Sequence, residues 1–305
     1  MIKTDVPPFG RVITAMITPF NDEMEIDYRA VERLVAHLID TGTEAIVVAG
    51  TTGESPTLEE FEKKELLKAV LSVAKGRAKV IMGTGSNSTS KSVQASREAE
   101  KLGAEGLLVV APYYNKPSQE GLLAHFTAVA EATALPVMVY NIPGRTGVNI
   151  NVDTVLELAS RRPNIQALKD ATGNVDQAGE IAGKAGEDFR IYSGDDSLTL
   201  PFLSVGASGV VSVASHVIGP QVKDMISAFF DGRVDDARRL HYECLPLFKG
   251  LFAAPNPTCI KYALWKMGIC KPHLRLPLVP LGKQQQEAMD KLIKEQKVAA
   301  KTPTA

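Results

Sequence analysis

Residues 136–193 read PVMVYNIPGRTGVNINVDTVLELASRRPNIQALKDATGNVDQAGEIAGKAGEDFRIYS. Pro136–Asn141, Ile165–Lys169 and Phe189–Ser193 are short runs in which apolar residues follow one another instead of alternating. Such runs mark strands covered on both faces, as strands of a parallel sheet are. Between them, Val152–Ser160 and Val175–Ala185 carry apolar residues at helical spacing. Strand, helix, strand, helix, strand is the repeat from which α/β domains are built.

The repeat extends in both directions. Strands are predicted at Arg11–Thr18, Ala45–Ala49, Val80–Gly83 and Gly106–Ala111 upstream, and at Gly209–Ser212 downstream. Helices fill the gaps at Asp27–Ile39, Thr57–Ala74, Ser90–Leu102, Glu120–Ala132 and Ser197–Leu203. Asp27, Thr57, Ser90, Ser118, Asn151 and Asn174 stand where N-caps belong, and Gly42, Gly76, Gly103 and Gly186 where helices close. Eight strands alternating with helices fit a (β/α)8 TIM barrel; a doubly wound sheet is the alternative, because periodicity does not reveal closure. After Gly232 the strand signal stops. Val234–Phe252, Pro257–Met267 and Gln284–Val298 read as helices, so the expected division is a catalytic barrel over 1–232 and a C-terminal helical appendage over 233–305. The tail Lys297–Ala305 is expected to fray.

Composition narrows the function. The 305 residues hold 34 Lys+Arg against 35 Asp+Glu, a net charge of −1, and no long basic stripe that would bind nucleic acid. No apolar stretch approaches the roughly 20 residues of a membrane-spanning helix. MIKTDVPPFG lacks an apolar signal region, and three cysteines, Cys244, Cys259 and Cys270, form no Cys-x-x-Cys pair. A reducing cytoplasm is the expected compartment. His37, His125, His216, His241 and His273 show no His-x-x-x-His spacing, so no metal site is expected.

In an α/β barrel the reactive groups sit at the C-terminal ends of strands. Lys169 ends its strand, and a lysine in the barrel mouth loses hydration, which favours its neutral, nucleophilic form. It could equally pair with Asp170 or Asp195, or reach to solvent. Tyr140 ends the preceding strand, where its phenol could move protons beside that amine or be a packed tyrosine with a satisfied hydroxyl. Tyr113-Tyr114 reads as a site, core or interface pair. Gly50-Thr51-Thr52-Gly53-Glu54-Ser55 offers amides and hydroxyls to a small carboxylate, or is a plain helix-leading turn; it lacks the Gly-Lys-Ser/Thr ending of a phosphate loop. Arg145 can clamp a second carboxylate or lie on the surface. Asp195-Asp196 stands where a phosphate-binding barrel has glycines, which disfavours phosphorylated substrates.

Taken together, Gly50–Ser55, Pro112-Tyr113-Tyr114-Asn115, Tyr140-Asn141-Ile142-Pro143-Gly144-Arg145-Thr146-Gly147, Leu168-Lys169-Asp170-Ala171-Thr172-Gly173 and Ser193-Gly194-Asp195-Asp196 resemble the dihydrodipicolinate synthase family of pyruvate-dependent, lysine-imine aldolases. The resemblance runs from Thr18-Pro19 to Pro255-Asn256-Pro257. It implies that Lys169 forms an imine with pyruvate, and that Tyr140 moves protons through a relay with Thr51 and Tyr114. It implies that Thr52 and its amide hold the pyruvate carboxylate against Val211, and that Arg145 binds the carboxylate of L-aspartate-4-semialdehyde. No cofactor beyond the covalent imine is implied. Tyr114 is implied to cross into a neighbouring subunit, giving a homo-oligomer, at least a dimer and expected to be a dimer of dimers. With near-zero net charge, both anionic substrates must be captured locally, by the Thr52 loop and Arg145.

Two sugar-acid aldolases of the same superfamily, N-acetylneuraminate lyase and 2-keto-3-deoxygluconate aldolase, share the Lys/Tyr pair, but Arg145 suits a short carboxylate-bearing aldehyde better than a polyhydroxylated one. A non-catalytic binding barrel is the reading of another class, and it does not require the retained Lys169, Tyr140, Thr51 and Tyr114. One departure stands out. Lysine-inhibited members of the family carry a small residue, two histidines and a glutamate where this chain has Pro56, Glu60, Lys63 and Lys91, while Ser55, Asn87 and Tyr113 are retained. Weak or absent inhibition by L-lysine is the expectation, since added cations repel a cationic amino acid.

Overall fold

A computed structural model describes residues 7–298; of the tail expected to fray, residues 299–305 lie outside the described residues. Eight strands, β1 (Val12–Ala15), β2 (Ala45–Val48), β3 (Lys79–Gly83), β4 (Gly106–Val110), β5 (Val137–Asn141), β6 (Ile165–Asp170), β7 (Arg190–Ser193) and β8 (Gly209–Ser212), pair in parallel in sequence order. Val12, Ile13 and Thr14 of β1 lie opposite Val210, Val211 and Ser212 of β8, which closes the barrel and excludes the doubly wound sheet.

The unbroken apolar runs follow from two separate cores. Ala45 and Val47 of β2, Met138 and Tyr140 of β5 and Ala167 of β6 fill the barrel interior with Phe9, Ile13, Ile81, Leu108, Tyr192 and Val211. Their neighbours Ile46, Val48, Val137, Val139 and Leu168 face the ring of helices instead. Each strand therefore buries both sets of alternating side chains. Phe9 packs into this interior, and Gly106 makes room for it: a Cβ there would stand 2.5 Å from the Phe9 ring.

The helices largely begin where their caps predict. Asp27, Ser118 and Asn174 each accept a hydrogen bond from the amide three residues on, at 3.0, 3.3 and 3.0 Å. Three caps differ. Thr57 closes a 3₁₀ turn, and the helix Glu60–Ala74 starts later, where the Glu62 carboxylate takes the Glu59 amide at 2.9 Å. Helix Thr89–Lys101 starts one residue before Ser90, and Gly186, two residues past Lys184, lacks the left-handed backbone that Gly42, Gly76 and Gly103 take at the same place. β1 is also shorter than Arg11–Thr18: its amides pair only where β2 and β8 run alongside it.

Helices Val234–Gly250, Thr258–Lys266 and Lys283–Glu295 follow the barrel. Leu247, Phe248, Ile260, Met289 and Ile293 belong to the same buried apolar cluster as the helix-facing side of the barrel. No helix among the described residues is long and apolar enough to cross a membrane.

Candidate active site

Strand periodicity aims Lys169 inward. Ala167 lies in the barrel interior, so the side chain two residues on points the same way, at the C-terminal end of β6. Lys169 is only 6% exposed. Burial pulls its amine down to about 7; the nearby Asp196 carboxylate opposes that shift and the Arg145 cation assists it. Neither Asp170 nor Asp195 pairs with it. Asp170 Oδ1 accepts from the Thr172 amide and hydroxyl at 2.8 and 2.7 Å, and Asp195 Oδ1 accepts from the Ser197 amide at 2.8 Å. Asp196 is the acid that matters here. It is buried, and it takes the Ser212 hydroxyl and the amides of Val213 and Ala214, at 2.9 and 3.0 Å for the amides.

Tyr140 lies opposite Lys169 across the β5–β6 pairing, and the Lys169 Nζ stands 4.1 Å from its ring centre. Burial pushes the phenol up to about 12, against the lowering effects of Arg145 and of a hydrogen bond with the Thr51 side chain. At neutral pH this pair therefore couples a substantially neutral amine to a protonated phenol, a nucleophile next to a proton donor.

Thr51 and Thr52 follow β2 on a sharply turned loop. Ala49 and Glu54 take left-handed backbone, at φ 52° and 56°. Gly83 of β3 permits this turn, because a Cβ there would meet the Ala49 carbonyl oxygen at 2.4 Å. Within the loop the amides of Gly53, Glu54 and Ser55 bond back to Gly50 and Thr51 carbonyls. Those of Thr51 and Thr52 have no partner among the described residues, and two adjacent free amides make a carboxylate-sized cradle. Thr52 is buried, and its hydroxyl accepts from Asn256 Nδ2 at 2.9 Å. Glu54 is tied to the buried Lys261 at 2.5 Å, and its other oxygen accepts from the Arg275 amide at 3.0 Å.

A cavity of about 710 Å³ is lined by Thr51, Tyr140, Leu108, Val110 and, on the rim, Arg145, with Lys169 behind that lining against the Tyr140 ring. Val211 lies buried in the barrel interior. Arg145 rides a one-turn helix, Pro143–Thr146, directly after β5 and is exposed to solvent. Tyr114 stands apart from the rest. It is 89% exposed, holds a left-handed backbone at φ 73°, and makes no hydrogen bond to Thr51 or Tyr140 within the chain. A bulky residue in that backbone conformation is strained, and no side-chain hydrogen bond among the described residues offsets the strain. Four of the residues predicted for the site, Lys169, Tyr140, Thr51 and Arg145, thus converge, with Thr52 and Val211 adjoining; Asp196, Asn256 and the Glu54–Lys261 pair complete the setting.

The cavity continues sideways past Ser55, Pro56 and Tyr113 to Glu60, Lys63, Lys91 and Glu98. Lys63 binds Glu60 at 2.8 Å, and Lys64 binds Glu98 at 2.7 Å. Lys91 has no carboxylate partner among the described residues. An ammonium group arriving here finds Glu60 and Glu98 already engaged and an unmatched cation beside them. Steady-state assays with added L-lysine should therefore show little inhibition up to millimolar concentrations; half-maximal inhibition below a millimolar would contradict this.

Barrel closure, a desolvated lysine and a neighbouring phenol at the strand ends place the molecule among the (β/α)8 enzymes. The chain belongs to the dihydrodipicolinate synthetase family, which its residues 8–296 match. It is 52% identical over 287 residues to 4-hydroxy-tetrahydrodipicolinate synthase 1 of Halalkalibacterium halodurans, covering 94% of this chain and 97% of that one. The crystal structure of a dihydrodipicolinate synthase from Bacillus anthracis superposes with a TM-score of 0.92 at 49% identity, covering 96% of this chain and 99% of that one. That of the Cyanidioschyzon merolae enzyme, with lysine bound, does so with a TM-score of 0.93 at 47% identity, covering 95% and 99%.

Proposed function

We propose that this chain condenses pyruvate with L-aspartate-4-semialdehyde to give 4-hydroxy-tetrahydrodipicolinate, a step toward diaminopimelate and L-lysine. The observation that carries the reading is the Lys169 amine, desolvated and 4.1 Å from the Tyr140 ring centre at the barrel mouth, in a chain of this family.

The chemistry runs through a lysine imine and needs no separate cofactor. The neutral amine adds to the pyruvate ketone, and the Tyr140 phenol protonates the departing hydroxyl, so water leaves and an iminium remains. That cation draws electrons from the methyl group, which loses a proton to give an enamine. The enamine carbon attacks the aldehyde, and Tyr140 returns a proton to the new alkoxide. The amino group of the second substrate then adds to the iminium carbon and displaces Lys169, closing the ring and freeing the amine.

The free amides and hydroxyl of Thr51 and Thr52 suit the pyruvate carboxylate, with Val211 as an apolar wall. Exposed Arg145 suits the carboxylate of the second substrate at the rim. Thr51, already bonded to Tyr140, is the inner member of a proton relay whose outer member is Tyr114. In our reading the Tyr114 that completes a given site is supplied by a second copy of the chain, so the working unit is at least a dimer. The exposure and backbone strain of Tyr114 support this. Rim cation and short aldehyde fit each other better than Arg145 fits a sugar chain.

The deciding experiment sets a condensation assay with pyruvate and aspartate semialdehyde beside cleavage assays with N-acetylneuraminate and 2-keto-3-deoxygluconate. Turnover of either sugar acid in preference to the condensation would overturn the proposal. A pH profile adds a second check. Because burial lowers the Lys169 amine to about 7, the reactive neutral fraction grows as pH rises through 7. The rate of imine formation with pyruvate should fall about tenfold per pH unit below that point and level off above pH 8, as stopped-flow or reductive trapping at early times would record.

A further inference from the structure

The carboxylate loop is held from behind by a segment more than two hundred residues away. Asn256 follows the last turn of helix Val234–Gly250 and lies buried against Thr52, with its Nδ2 donating to Thr52 Oγ1 at 2.9 Å across a sequence separation of 204 residues. A threonine hydroxyl can accept and can donate one proton. Here the accepting role is taken by Asn256, and the proton has no partner among the described residues. The Asn256 carbonyl oxygen, Oδ1, takes no part in this contact and has no partner among the described residues. Thr52 is thereby poised as a donor, beside the free amides of Thr51 and Thr52.

We infer that Asn256 is a positioning residue: by occupying the acceptor side of the Thr52 hydroxyl, it keeps the Thr52 proton aimed at the carboxylate of the first substrate. The inference rests on the reading of pyruvate as that substrate. It assigns a task in substrate capture to a side chain of the C-terminal helical region, one that never touches the reacting atoms. Loss of Asn256 should weaken pyruvate binding while leaving the amine, the phenol and the aldehyde end as they were, so the effect falls on one KM.

The test is a double-mutant cycle on the full-length protein using Asn256→Ala, Thr52→Val and the combination, with kcat and both KM values measured. Asn256→Ala should raise the pyruvate KM about tenfold, the scale of one hydrogen bond to a charged group. Its kcat and aldehyde KM should stay within about twofold of the parent. In the Thr52→Val background the same substitution should change the pyruvate KM by less than about twofold, because there is no hydroxyl left to orient. Asn256→Leu, which keeps the shape and removes the donor without adding charge, should raise the pyruvate KM as the alanine does; if the alanine variant does not fold, it is cycled against Thr52→Val by the same criteria. An unchanged pyruvate KM in the Asn256 variants, or an equal rise with and without the Thr52 hydroxyl, would overturn the inference. Borohydride trapping with pyruvate separates the two levels. Parent protein that is never trapped on Lys169 defeats the pyruvate reading itself; trapped parent with an additive cycle defeats only the role of Asn256.

Discussion

Lys169→Arg should abolish reductive trapping by pyruvate and lower condensation on the order of 10³-fold or more, as removal of a catalytic nucleophile does. Arginine keeps the cation, so a site that used Lys169 only as a charge would survive the change. Its guanidinium cannot lose a proton in the accessible pH range, whereas the Lys169 amine is held near 7 by burial. No neutral nucleophile then exists at the end of β6. Mass spectrometry after borohydride treatment would find the parent peptide carrying the reduced pyruvate adduct and the variant peptide unmodified. A melting curve beside it checks that the larger head group is accommodated where Lys169 was buried. An adduct retained in the variant would remove Lys169 from the mechanism.

Tyr140→Phe should cost about 10² to 10⁴ in kcat, the usual reach of a positioned acid–base group. The ring remains, so the barrel interior stays filled and the contact with the Lys169 amine is kept. What disappears is the phenolic proton, held on the oxygen by a pKa near 12 and bonded to Thr51. Pyruvate should still be trapped on Lys169 given long incubation, but slowly. The two variants therefore separate the nucleophile from the proton carrier: one never forms the adduct, and the other forms it late. Trapping at the parental rate together with parental turnover would show the hydroxyl to be only a packing feature.

The barrel was legible because its strands are apolar on both faces, and a closed parallel sheet with helices outside is what such runs build when they recur eight times. Helix Ser215–Phe230 escaped the pattern. Gly219-Pro220 interrupts it, and the backbone kinks at Ile218, so no helical period runs through the segment. Lys169, Tyr140 and the Gly50–Ser55 loop could be named as candidates because each stands at a strand end, a position that strand assignment alone supplies. Their partners could not. Asp196 was visible only as an acid out of place in a phosphate loop, and nothing local shows that it turns toward Ser212 and the amides beyond it. Asn256 and Lys261 sit in a helical region whose periodicity says which face is apolar, and says nothing of which loop that region meets. Tyr114 shows the reverse case: the motif singles it out, while a single chain leaves it in solvent.

The Gly50–Ser55 loop faces the cavity on one side and on the other is bonded to Asn256 and Lys261. Thermodynamic reciprocity then applies: whatever docking of the C-terminal helices does for ligand affinity, ligand must do equally for the docking of those helices. The chain's single tryptophan, Trp265, lies one turn beyond Lys261 on the same helix, packed with Tyr262 and Lys266. Its emission is a built-in gauge of that docking, and the distance by which a ligand raises its melting point measures, from the far side of the molecule, how firmly the first substrate is held.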